Sequence, residues 1–150
     1  MKRMRSSAVL AGAIAIALGV TGIRLAAQAT EEAGVRAALE HYLQGHATGD
    51  GAHFRMAFHP EAKLFWVVGD TLRQMTAEQY AANASGRPPA DEAQRRRRIL
   101  HVDVSGTVAV AKVELDYPTR HFIDYMSLAK VNGAWKIVNK SYVAGPSLPR

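Results

Sequence analysis

The chain has 150 residues, 48% of them hydrophobic, with 19 Lys and Arg against 13 Asp and Glu for a net charge of +6, and it has no cysteine. The absence of thiols excludes disulfide staples, a thiol nucleophile and thiolate metal sites, so the fold must stand on its hydrophobic core. Lys2, Arg3, Arg5 and Arg24 fall in residues 1–29 with no acid among them; the remainder carries +2, which argues against nucleic acid as a partner.

The chain opens with the basic stretch Met1-Lys2-Arg3-Met4-Arg5, continues uncharged from Ala8 to Val20, and reaches Ala27-Gln28-Ala29. A basic start, an apolar run and an A-x-A pattern in that order predict a secretory signal peptide over residues 1–29, with export to the periplasm or the extracellular space. The apolar run is shorter than the roughly 20 residues a membrane span needs, so no stable membrane insertion is expected after cleavage; an uncleaved anchor is the alternative. Residues 30–144 then form one domain, and residues 145–150 a C-terminal tail.

From Thr30, Val35, Ala38, Leu39, Tyr42, Leu43 and His46 recur at helical spacing, with Thr30 as the expected N-cap and Gly45 and Gly49 as the end. Asp50 can cap a second short helix that stops near His59-Pro60. Residues 64–68, "LFWVV", read as a short strand closed by Gly69-Asp70, and Thr76-Ala77-Glu78-Gln79 is a capping box that opens a third helix. Residues 85–94, "SGRPPADEAQ", form a polar loop.

Beyond the loop the period changes to two. Residues 95–105, 107–117, 121–131 and 134–143 read as four strands joined by tight turns, the last at Asn132-Gly133. In the second of them Ala109, Ala111, Val113 and Leu115 face the core, while Lys112, Glu114 and Asp116 face water. In the third, Asp124 shares a face with Phe122, Met126 and Leu128. A carboxylate on an apolar face is either the floor of a pocket, kept neutral by desolvation, or the partner of a base such as Lys140 or an arginine of the run Arg95 to Arg98. The predicted class is α+β, with a strongly bent antiparallel sheet of four long strands and a short one wrapped around three N-terminal helices, cone-shaped with a central pocket.

This order of elements, with "YLQGHATGD", "FHPEAKL" and "FIDYMSLAKVNGAWKIVNKSY", resembles the nuclear transport factor 2-like superfamily, and within it the putative lumazine-binding family. The resemblance implies a cone with a ligand pocket in its mouth. In the related ketosteroid isomerases a first-helix tyrosine and a protonated strand aspartate form the oxyanion hole, a pair matched here by Tyr42 and Asp124. The isomerases' general-base aspartate would fall within residues 64–66, where no carboxylate stands, so isomerase activity is not expected. What the resemblance leaves is a small-molecule pocket built on Tyr42 and Asp124, walled by Trp66, Phe58, Phe122 and Met126, for a partly apolar or aromatic ligand.

The alternatives are a cyclase, dehydratase or isomerase that uses His59 or His101 as base, and a homodimeric interaction module that pairs through the sheet. No cofactor is expected. The six histidines are not spaced as metal ligands, so no metal is expected either. Simple alternation puts Arg95 and Arg97 on the face of His101 and Asp103, and Arg96 and Arg98 on that of Leu100 and Val102, as a charged entrance on a solvated edge. Binding of an acidic ligand is the functional alternative for this run. Ser127-Leu128-Ala129-Lys130 matches the S-x-x-K of serine β-lactamases only by accident, since on a strand the two residues point apart.

Overall fold

The computed structural model describes residues 8–148, with side chains from residue 26 onward. The basic start of the predicted leader, and the end of the predicted tail, lie outside the described residues. Helix α1 (Ala8–Thr48) leads into α2 (Gly51–Ala57), strands β1 (Phe58–Val68) and β2 (Thr71–Thr76), and α3 (Ala77–Ala82); a 3-10 turn (Glu92–Gln94) then precedes β3 (Arg96–Ser105), β4 (Val108–Asp116), β5 (His121–Val131) and β6 (Ala134–Gly145). The six strands form one bent sheet in the order β2-β1-β6-β5-β4-β3, antiparallel except where β1 runs parallel to β6.

The helical face read from the sequence is the buried one. Val35, Ala38, Leu39, Tyr42 and Leu43 pack into the core with Leu64, Val113, Leu115, Leu128 and Ile137. Each Leu or Val so buried stabilises the fold by roughly 1.5–3 kcal/mol. Asp50 caps α2 by accepting from the Ala52 amide at 2.8 Å. Thr76 and Gln79 exchange both capping-box bonds, at 3.1 and 2.9 Å. Arg55 pairs with Glu78 at 2.6 Å and ties α2 to α3.

Thr30 does not cap a helix here. α1 runs through it, and its hydroxyl donates back to the Ala26 carbonyl at 3.0 Å, because the Ala- and Leu-rich segment before it favours helix as strongly as the residues after it. The acids beside Thr30 therefore act through partners rather than through the helix dipole. Glu31 accepts from Lys130 at 2.7 Å and from the Trp135 indole at 2.9 Å, and both bonds hold its carboxyl below the usual range. Gln28, inside the predicted cleavage pattern, donates to the Val104 carbonyl at 2.8 Å.

The strand count also differs from the expectation. β1 begins at Phe58, where the chain leaves α2, and is as long as β5. Gly69, at φ +59°, turns it back into β2, pairing Val68 with Thr71 and Trp66 with Arg73. β2 is almost wholly exposed, so it has no apolar alternation by which to be read.

Two single-residue bulges reset which side chains face the core. Between Ile99 and His101 the pairing with β4 skips Leu100, so Arg97 and Ile99 lie on the same side as Val102 and Val104, while Arg96 and Arg98 join His101 and Asp103 outside. Arg95 and Arg97 are thus the inward pair, opposite to what strict alternation gives. Between Ile137 and Asn139 the pairing with β5 skips Val138, which turns Lys140 and Tyr142 inward behind Trp135 and Ile137. On β4, Glu114 is buried rather than wet, held by Arg98 and by His121 at 3.0 Å; burial alone would raise its carboxyl, and those two partners bring it below its usual range.

Candidate functional site

The inner face of β5 and β6 carries charge at its centre. Asp124 is 0% exposed, Tyr42 of α1 0% and Lys140 of β6 3%. The Tyr42 hydroxyl donates to Asp124 Oδ2 at 2.6 Å, and Lys140 Nζ donates to the Tyr42 oxygen at 2.9 Å and to Asp124 Oδ1 at 3.3 Å. The ammonium also lies 4.5 Å from the centre of the Tyr142 ring, 5.0 Å from Tyr80 and 5.1 Å from Tyr42. Such a cage offers cation–π attraction in place of lost water. Burial lowers the pKa of Lys140 against the opposing pull of Asp124, and burial followed by the charge on Asp124 pushes the Tyr42 phenol well above its ordinary value. Of the two readings of Asp124, the structure shows the pairing: it meets Lys140 on the buried inner face of the sheet and is not part of a cavity floor.

The expected wall residues gather around this network to different degrees. Phe58 stands edge-on to Tyr42 with ring centres 5.9 Å apart, and Met126 is buried on the Asp124 face. Trp66 is half-buried and stacks on Tyr142 at 5.7 Å, while Phe122 packs against Tyr117 at 5.8 Å and Tyr142 at 6.4 Å. His59 is not brought in; its Nδ1 accepts from the Glu61 amide at the start of β1. His101 is exposed on the outer face of the sheet. Among the described residues no group of three or more His, Asp or Glu side chains could hold a metal.

A cavity of about 370 Å³ opens beside the network, between the end of α1, α3 and the polar loop; His46, Phe54, Met75, Tyr80, Asn83 and Arg95 are among its walls. Tyr42 and Asp124 stand one ring behind it, since Tyr80 lies between: its ring centre is 6.5 Å from that of Tyr42, and its hydroxyl bonds His46 Nε2 at 2.9 Å. Burial drives the Tyr80 phenol far above its usual range. Arg97 crosses behind this wall, bound to both oxygens of Glu92 at 2.5 and 2.7 Å, to Tyr117 at 3.2 Å and to the His46 carbonyl at 3.2 Å. Sequence reading missed Tyr80 and His46 as cavity residues, and Lys140 as a member of the central network, although it named Lys140 as a partner for Asp124.

Burial, and then the cations of Lys140, Arg97 and Arg95, hold the His46 imidazole well below its ordinary value of 6.5, and therefore neutral. The unfolded chain takes up a proton at this site near pH 6.5 and the folded chain does not, so this contribution to stability is full above pH 6.5 and is lost as pH falls from there toward the folded-state value. Unfolding free energies from urea titrations should fall from about pH 7.5 to about pH 5.5 with a slope from this group of at most about 1.4 kcal/mol per pH unit, and His46→Gln should flatten that slope.

The model of the putative lumazine-binding family matches residues 30–143. An NTF2-like protein of unknown function from Shewanella baltica is 27% identical, with a TM-score of 0.71 over 79% of this chain and 97% of its own. One from Methylobacillus flagellatus is 31% identical, with a TM-score of 0.66 over 77% of this chain and 93% of its own. The aldolase FrzH of a Cladobotryum species is 18% identical over 105 residues, 70% of this chain and 84% of that protein. The inward aspartate and tyrosine, the helices laid into a bent sheet and these matches together place the chain in the putative lumazine-binding family of NTF2-like proteins.

Proposed function

We propose that the protein is an exported binder of a small, partly apolar, ring-bearing molecule held inside the cone. Family and fold support small-molecule binding. The observation that carries the finer reading is the buried Tyr42–Asp124–Lys140 network, a costly arrangement for a core that apolar residues could fill. Its place directly behind Tyr80 and His46 gives it work at the cavity wall: it fixes the two groups that meet the ligand's polar edge. Phe58, Met126, Trp66 and Phe122, expected as pocket walls, pack around the network and are not in the cavity lining. Homodimerisation through the outer sheet face belongs to the same proposal, because Val110, Tyr125 and Val143 are exposed there on adjacent strands.

Native mass spectrometry on protein recovered from the exported fraction of its host is the test. A reproducible added mass that is lost on denaturation, and much reduced in Tyr42→Phe, is the expected result; the same spectra read leader removal and dimer mass. Bare wild-type protein in every preparation would overturn the binding proposal.

Catalysis in the same cavity is favoured by one observation, a neutral imidazole at its wall, and by the similarity to an aldolase. His46 would be the base in that case, in the role given on sequence grounds to His59 or His101. Loss of turnover on a carbonyl substrate in a folded His46→Gln variant that still carries ligand would support it.

A further inference from the structure

We infer that the cavity selects an anion, namely a carboxylate carried on an apolar ring, and that Arg95 receives it. This rests on the proposal that the cavity binds a small molecule, and goes further by naming the ligand's charge. Among the described residues Arg95 is the single charged side chain of the lining, and no carboxylate lines the cavity. Phe54, Met75, Ala84 and Pro89 give it apolar walls.

The guanidinium is held in place before any ligand arrives. Its Nε donates to Asp91 at 2.7 Å, and its central carbon lies 4.2 Å from the centre of the Tyr117 ring. Those contacts fix the position of the group, and its two terminal nitrogens make no further hydrogen bond among the described residues. A planar fork with free terminal donors matches the two oxygens of a carboxylate. Asp91, whose carboxyl Arg95 holds below its usual range, stays ionised and anchors the side chain. The rest of the wall suits an anion too. His46 is in its neutral form, and the Asn83 amide can donate from the loop side.

The experiment is calorimetric titration of the full chain with 2-naphthoate and with the isosteric 2-naphthamide. Naphthoate should bind at least about tenfold more tightly than the amide, the worth of one charge-assisted hydrogen-bonded pair. Arg95→Gln should bring the two to within about twofold of one another, and Arg95→Lys should keep part of the preference. If Arg95→Gln does not fold, salt serves instead: raising ionic strength should weaken naphthoate alone. Equal affinities, no naphthoate binding, or a preference that survives in Arg95→Gln would overturn the assignment. A neutral molecule recovered by native mass spectrometry would do the same while leaving small-molecule binding intact, so the two proposals fail separately.

Discussion

Asp124→Ala should destabilise the fold by about 3–5 kcal/mol, read as a large fall in the urea midpoint. The substitution removes the acceptor of two bonds at once, and leaves the Lys140 ammonium 3% exposed among three tyrosine rings with no anion beside it. An uncompensated buried charge is the expensive outcome. Pairing Asp124→Leu with Lys140→Met removes both charges together and should recover most of that loss, the Tyr42 hydroxyl left without either partner still costing about 1–3 kcal/mol. The same double variant should lose its bound ligand, because the polar support behind Tyr80 is gone. A stable double variant that still carries its ligand would show that the network serves the fold alone, and an Asp124→Ala cost below about 1 kcal/mol would mean that Lys140 finds water or another partner.

Gly49→Ala is expected to cost about 3 kcal/mol. Gly49 ends α1 at φ +70°, where a side chain is strained, and a Cβ there would lie 2.1 Å from the Arg87 carbonyl oxygen and 2.4 Å from the Ser85 hydroxyl. The first of these is backbone, which has no rotamer by which to withdraw. The Gly49 carbonyl also accepts from the Gly86 amide at 2.8 Å, so helix end and loop are fastened edge to edge at the cavity. Strain and overpacking each contribute about 1–3 kcal/mol in such positions. Gly133 gives the control: its φ is +81° in the Asn132-Gly133 turn, but nothing stands within 4 Å of its Cβ direction, so Gly133→Ala should cost only about 1 kcal/mol. Equal costs at the two sites, measured by chemical denaturation, would show that the contact with Arg87 is relieved by loop movement.

What could be read from the chain alone was whatever repeats at a fixed period or sits at a fixed offset. The α1 face from Val35 to Leu43, the Asp50 cap, the Thr76–Gln79 box and the Asn-Gly hairpin were legible because each is local. So was the Tyr42–Asp124 meeting, by resemblance, across 82 positions of sequence. β2 was illegible because it has no buried face, and Thr30 was misplaced because helix-favouring residues continue on both sides of a good capping residue. The cavity wall was illegible for a different reason. Tyr80 and His46 come from separate helices, and only packing brings them within a hydrogen bond. Arg95, Arg97 and Lys140 were assigned by alternation or left as options, and alternation fails wherever a strand carries one residue too many.

The extra residues are Leu100 and Val138, and between them they decide whether three positive charges face the interior or the surroundings. The polarity of this cone is therefore set as if by a reading frame. Losing one residue from β3 or β6 would swap the sides of every position before it relative to those after it, while leaving each arginine and lysine in place in the sequence. Two chains with the same basic residues in the same order could for that reason accept ligands of opposite charge, and an insertion or deletion of a single residue is a shorter route between those specificities than any set of substitutions.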